Sequence, residues 1–173
     1  GLSFRFSGAS HRIPLTDLTG KVVTIYGQNE VMKDLIDARL DQGENIRFEA
    51  EAIGIEDFDT DRPTIRFREN GAEKALACDF IAGCDGFHGL CRPAIAKVLS
   101  VYDREYPFGW LGILADARPV DEELIYAYHE RGFALFSMRS EAIVRYYLQC
   151  APDANPKEWS DQRVWDELSL RLG

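Results

Sequence analysis

Residues Leu124 to Cys150 read LIYAYHERGFALFSMRSEAIVRYYLQC, three apolar runs separated by short polar breaks. The runs, about Leu124 to Tyr128, Phe133 to Arg139 and Ile143 to Cys150, are rich in Ile, Val, Tyr and Phe, which suit a pleated, half-buried surface. Such short breaks join neighbouring strands directly, so the stretch predicts an antiparallel sheet. Side chains two apart on a strand share a face, so Ser137 and Arg139 point together, as do Arg145 and Tyr147. An even register between these strands puts both pairs on one face; an odd one separates them. Tyr126 joins that face if Glu130-Arg131 is a two-residue loop, which pairs Tyr126 with Leu135. A guanidinium, a hydroxyl and two phenols on one face match a small aromatic acid. Arg139 would clamp the carboxylate through two parallel N–H bonds, Ser137 and Tyr147 would complete its acceptor sites, and Tyr126 would address a polar group at the far end. Periodicity alone fits an ordinary solvent-exposed face as well, on which Arg, Ser and Tyr are unremarkable.

Working outward, Leu2, Phe4 and Phe6 alternate with polar residues, Gly8-Ala9-Ser10 reads as a turn and His11 to Leu15 as a return strand. Val22 to Tyr26 reads as a buried strand ending in Gly27-Gln28. A helix follows over about Glu30 to Leu40, with Val31, Leu35 and Ala38 on one face and Gly43 as its stop. Ile46 to Phe58, Thr64 to Arg68 and Lys74 to Ala82 predict an antiparallel meander with turns at Asp59 to Pro63 and at Glu69-Asn70-Gly71. A further strand is expected over about Glu105 to Ala115, and helices near Pro93 to Leu99 and over Trp159 to Leu172. The fold class expected is α+β, a mostly antiparallel sheet with flanking helices.

Between these elements lies Cys78 to Arg92, CDFIAGCDGFHGLCR, where a short apolar strand (Phe80, Ile81, Ala82) runs into a Gly-rich turn and a helix started by Pro93. Asp85 on such a turn can accept hydrogen bonds from ribose hydroxyls. Gly86 and Gly89 allow backbone to approach a pyrophosphate without Cβ interference, and Arg92 supplies positive charge. An Asp-Gly turn by itself is also an ordinary strand-to-helix connection.

Composition narrows the function. With 173 residues, 46% hydrophobic and 28% charged, the chain is long enough to bury a core without staples. A net charge of −9 argues against a nucleic-acid partner, because phosphate backbones need clustered cations. Cys78, Cys84, Cys91 and Cys150 form no CxxC pair and read as free thiols, which suits a reducing cytoplasm. Gly1 to Arg5 does not resemble a signal peptide, and the longest apolar run, Phe108 to Ala115, is too short to span a bilayer; no membrane partner is expected. His88 has no second His or Cys at metal spacing, and His11 and His129 look incidental. Glu56 to Asp61 lacks the Gly and terminal Glu of a calcium loop, so no metal is expected.

The Asp85 to Arg92 string resembles the second nucleotide fingerprint, DG-x-x-x-x-R, of the single-component FAD-dependent aromatic hydroxylases. Tyr106 to Asp116 (YPFGWLGILAD), LIYAYH from Leu124, RGFALF from Arg131 and Arg145-Tyr146-Tyr147 resemble the substrate domain of the branch that acts on 4-hydroxybenzoate. Tyr26-Gly27-Gln28 and Trp159-Ser160-Asp161 extend the resemblance over nearly the whole chain. It implies a flavoprotein monooxygenase using FAD and NADPH, dimeric as the full protein. It implies that residues 1–99 are part of the FAD-binding domain, and residues 100–173 the substrate-binding sheet and the start of the next helix. By resemblance, Ser137, Arg139 and Tyr147 hold the substrate carboxylate and Tyr126 contacts its phenol and promotes ionisation. Gln28, Asp85, Gly86, Phe87, His88, Arg92 and Arg145 contact FAD or the pyridine nucleotide. Cys91 stands where the fingerprint usually has Ser, and no G-x-G-x-x-G follows any strand. The chain therefore reads as the middle portion of the enzyme, with little activity expected of it alone. The alternatives are a non-catalytic domain that binds small aromatic acids and a sister flavin phenol hydroxylase, which would not need Arg139 as a carboxylate clamp.

Overall fold

Period-two patterning dominates the chain, and the computed structural model, which describes all 173 residues, turns it into nine strands and four α-helices. In chain order these are β1 (Leu2–Phe6), β2 (Ala9–Ile13), α1 (Leu15–Thr19), α2 (Gln28–Asp41), β3 (Glu51–Glu56), β4 (Thr64–Glu69), β5 (Ala72–Ala77), α3 (Cys91–Ala94), β6 (Gly109–Asp116), β7 (Leu124–Ala127), β8 (Ala134–Met138), β9 (Ile143–Cys150) and α4 (Asp161–Leu172). Short 3-10 turns occupy Ala96–Val98 and Pro156–Glu158. The chain divides into two units, one of Gly1–Asp34 with Arg104–Gly173, the other of Leu35–Asp103.

The first unit is built on a six-stranded sheet of order β2-β1-β7-β8-β9-β6. Gly132 donates its N–H to the His129 carbonyl at 2.9 Å, leaving Glu130-Arg131 as the loop; Tyr126 accordingly pairs with Leu135. All neighbours are antiparallel except β1 and β7, where Phe4 lies beside Tyr126 in a parallel pair. One face is the core. Ile125, Phe136, Val144 and Leu148 are fully buried, with Tyr146, and Val164 and Leu168 of α4 pack on them. Ser160 caps α4 by accepting the Arg163 N–H at 3.3 Å, as a Ser before an amphipathic run should. Arg171, buried on the same helix, donates to the Gln149 carbonyl at 2.8 Å and pairs with Glu167, which also binds Arg131 at the β7–β8 loop. These bonds occupy a carbonyl at the end of the sheet and hold α4 in place.

The second unit carries the meander β3-β4-β5, with a bulge between Ala52 and Gly54. Asn70 and Gly71, at φ of 51° and 76°, make the two-residue turn between β4 and β5. Phe67 is buried, while Arg66 and Arg68 pair across the strands with Glu56, Glu51 and Glu73.

Several expected boundaries shift. The first hairpin turns at Ser7-Gly8, both at positive φ, so β2 begins at Ala9 and ends at Ile13, and Leu15, expected to end the return strand, instead opens the helix Leu15–Thr19. Val22 to Tyr26 is not a strand. An apolar run becomes a strand only where a neighbour takes up its backbone hydrogen bonds, and no strand here pairs with it; Val22 and Val23 stand 77% and 71% exposed. The same reason removes the short strand at Phe80 to Ala82, and β5 stops at Ala77. β3 starts only at Glu51, after Glu49 takes a φ of 54°, and β6 starts at Gly109. The helix expected from Pro93 to Leu99 splits into α3, which contains Pro93, and the 3-10 turn. The helix α2 forms, and the Gly43 N–H closes its end on the Leu40 carbonyl, but it buries no residue.

Candidate functional site

The face of the six-stranded sheet opposite α4 carries the candidate site. Strand pairings lay out one row, Phe4, Tyr126, Leu135, Tyr147 and Gly112, from β1 to β6. The neighbouring row pairs Ser137 of β8 with Arg145 of β9 and Arg145 with Leu114 of β6. The β8–β9 register is thus even, and Tyr126, Ser137, Arg145 and Tyr147 project from one face. Tyr126 and Tyr147 flank Leu135 on either side, two strand spacings or about 10 Å apart. Arg139 lies one residue past β8, held by its N–H to the Ile143 carbonyl at 2.9 Å. Its Nη1 lies 3.9 Å from where a Cβ on Gly27 would sit, beside Gln28 at the start of α2.

The chemistry of this face is concentrated in two atoms. Ser137 is 2% exposed and its Oγ has no hydrogen-bond partner; Arg145 Nε is likewise buried and unpartnered. Leaving a buried polar group unmade costs about 1–3 kcal/mol, more for a charged one, so the pair fits a ligand that returns those bonds. The Arg145 guanidinium carbon lies 4.8 Å from the centroid of the Tyr147 ring. The Tyr126 ring stacks on Phe4 at 5.5 Å and 16°. Next to them is an open groove of about 620 Å³ lined by Phe108, Trp110, Tyr126, Tyr128, Phe133, Leu135, Tyr147 and Gln149. Trp110 meets Phe108 and Phe133 edge to face at 5.7 and 5.5 Å, an arrangement that presents flat apolar walls to a ring.

In the second unit the turn from Gly83 to Arg92 is organised around Asp85. Its Oδ2 accepts the N–H groups of Leu90 at 2.6 Å and Cys91 at 3.0 Å. The Cys91 N–H above all holds the Asp85 carboxyl below its ordinary range against a desolvation cost, with the Cys91 thiol and Leu90 N–H adding to it. Burial, then Asp85, pushes the Cys91 thiol up. A Cβ on Gly89 would fall on the Asp85 carboxylate itself, so this approach requires glycine. Gly86 turns the chain at a φ of 75°. Phe87 is exposed, with the Arg92 guanidinium 4.4 Å over its ring and His88 edge-on at 5.0 Å. Asp85 is therefore already committed through one oxygen to its own turn. Its Oδ1, the neighbouring glycine backbone and Arg92 suit hydroxyl and phosphate groups.

The sequence reading missed Phe4, because it reaches Tyr126 only through the parallel β1–β7 pair. It also missed Phe108, Trp110 and Phe133 as walls of the groove, although Phe108 and Trp110, two apart on an alternating run, carry that signal.

Residues 1–173 match the family described as FAD binding domain. The chain is 47% identical, over 99% of its length, to p-hydroxybenzoate hydroxylase of Acinetobacter baylyi, and spans 43% of that relative. Among solved structures, CmlS, a flavin-dependent halogenase, superposes with a TM-score of 0.63 over 85% of this chain and 28% of its own, at 17% identity. The OxyS anhydrotetracycline hydroxylase from Streptomyces rimosus gives 0.56 over 86% of this chain and 30% of its own, at 18% identity. At such low identity the two structures share the fold alone. With the whole chain matched by the family model, the chain belongs to the FAD binding domain family, and over nearly its whole length it is similar to p-hydroxybenzoate hydroxylase, of which it spans less than half.

Proposed function

We propose that this chain is the substrate- and nucleotide-contacting part of a monooxygenase that converts 4-hydroxybenzoate, O2, NADPH and a proton to 3,4-dihydroxybenzoate, water and NADP+. The observation that carries the reading is the pair of orphaned atoms, Ser137 Oγ and Arg145 Nε, on the face that also bears Tyr126 and Tyr147 beside an aromatic-walled groove. FAD, when bound, supplies the activation of O2.

The chain's own residues bind, orient and shift a proton. Arg139 clamps the substrate carboxylate, and the Ser137 and Tyr147 hydroxyls donate to its remaining lone pairs. Tyr126, about two strand spacings from Tyr147, takes the phenol end and shares its proton. Ionising the phenol enriches the ring carbon ortho to oxygen, which is the carbon hydroxylated. Phe108, Trp110, Phe133 and Leu135 wall the ring and exclude water. Arg145 and Gln28 hold the flavin, and Asp85, Gly86, Phe87, His88 and Arg92 hold nucleotide hydroxyls and phosphates. The working enzyme is read as a cytoplasmic homodimer.

The test is titration of the intact flavin-loaded protein with 4-hydroxybenzoate while flavin absorbance is followed, with NADPH oxidation and product assayed in parallel. Saturable perturbation and stimulated oxidation yielding 3,4-dihydroxybenzoate are expected. Stimulation by phenols without a carboxylate, and none by 4-hydroxybenzoate, would sink the substrate assignment.

A further inference from the structure

We propose that Gly112 is a positioning residue: the space left by its missing side chain is the seat of the Arg145 guanidinium and sets where that cation stands on the groove face. Gly112 lies in β6 opposite Tyr147, while Arg145 itself is opposite Leu114, so the guanidinium reaches one pair along the strand to lie over Gly112. A Cβ at position 112 would come 2.8 Å from Arg145 Nη2 and 3.5 Å from its Cζ, with Tyr147 Cε1 at 3.5 Å. The two 3.5 Å separations are ordinary contacts; the 2.8 Å approach is closer than a real Cβ tolerates. Only Arg145 would have to move.

Nothing else at the position requires glycine. Its φ is outside the left-handed region, and its same-face neighbours Trp110 and Leu114 are large, 48% and 61% exposed. A glycine inside a strand weakens it, through chain entropy and the lack of a side chain to pack, so its presence here calls for a close approach. Arg145 supplies one. With Nε already buried and unpartnered, the guanidinium is held by shape, by the Tyr147 ring and by the bare Gly112 backbone.

The functional part of this inference rests on the reading of Arg145 as a flavin contact. The experiment is a double-mutant cycle in the intact protein: wild type, Gly112→Ala, Arg145→Ala and the double variant. For each, Tm is measured without FAD, and FAD affinity by quenching of flavin fluorescence. In the presence of Arg145, Gly112→Ala is expected to lower Tm by several degrees and weaken FAD binding by about tenfold or more. In the Arg145→Ala background the same change should leave FAD affinity unmoved and hold or raise Tm, because alanine fits the strand and loses less chain entropy. Equal penalties in both backgrounds, or none in either, would overturn the seat. A Gly112→Ala protein that fails to fold while the double variant folds supports it, and failure of both overturns it. An Arg145→Ala protein that binds FAD like wild type overturns the role assigned to Arg145, whatever the Tm cycle gives.

Discussion

Ser137 and Arg145 stand directly opposite each other on β8 and β9, and each holds a buried polar atom without a hydrogen-bond partner. They are the two buried side-chain polar atoms left unsatisfied in the chain, and they fall on adjacent strands of one face. A fold that leaves such groups unmade gives up stability that a bound ligand can return.

Ser137→Ala tests this directly. Without ligand the variant should be as stable as wild type or more stable, because the change removes an unsatisfied buried hydroxyl and adds no cavity larger than one oxygen. Affinity for 4-hydroxybenzoate should fall by roughly tenfold, the worth of one hydrogen bond to a charged group. Thermal melts with and without the acid check both halves; loss of stability in the ligand-free protein would mean that Ser137 has an internal partner.

Arg139→Ala should raise the dissociation constant for 4-hydroxybenzoate by roughly 30-fold or more, about 2–3 kcal/mol for a charge-assisted bidentate contact. Phenol, which has no carboxylate, should bind nearly as before. Equal losses for the two ligands would defeat the clamp.

Tyr126→Phe keeps the ring stacked on Phe4 and deletes only the hydroxyl. Binding should change little, while hydroxylation should fall sharply and NADPH oxidation continue with O2 reduced to hydrogen peroxide. Peroxide and 3,4-dihydroxybenzoate measured together decide it. A fully coupled variant at unchanged turnover would remove Tyr126 from proton transfer.

Glu167 joins Arg131 of the β7–β8 loop to the buried Arg171 of α4. The Arg131 hydrogen bond, opposed by partial burial and aided by Arg171, holds the Glu167 carboxyl below its ordinary value of 4.5. A carboxyl depressed in the folded state contributes stability at pH above that ordinary value and loses it as pH falls through the folded one. Glu167→Gln should therefore lower Tm near neutral pH, by about 1–3 kcal/mol equivalent, and flatten the fall in Tm on the acid side of pH 4.5. An unchanged acid limb would mean that another carboxylate governs it.

Much of the sheet was legible because alternation is a local signal. Leu124–Ala127, Ala134–Met138 and Ile143–Cys150 form strands as read, and a polar Glu130-Arg131 break of two residues leaves little freedom in register, so Tyr126 meets Leu135. The fingerprint string marked Asp85, Gly86 and Arg92 as neighbours, but gave no sign that an Asp85 oxygen would be spent on Leu90 and Cys91. Val22 to Tyr26 and Phe80 to Ala82 have strand composition without a strand partner, and composition cannot say who the partner is.

The sequence alone determined which segments alternate, that Glu130-Arg131 and Asn70-Gly71 are tight turns, and which polar side chains share a strand face, because each depends on residues a few positions apart. Only the tertiary structure decided what depends on distant segments meeting. It laid β1 parallel to β7, more than a hundred residues away, which brought Phe4 under Tyr126. It packed α4 on one face of the sheet and left the other to Ser137, Arg145 and Tyr147. And it brought the Arg145 guanidinium over Gly112 through the β6–β9 pairing, a contact set by side-chain reach across two strands that no pattern along one of them records.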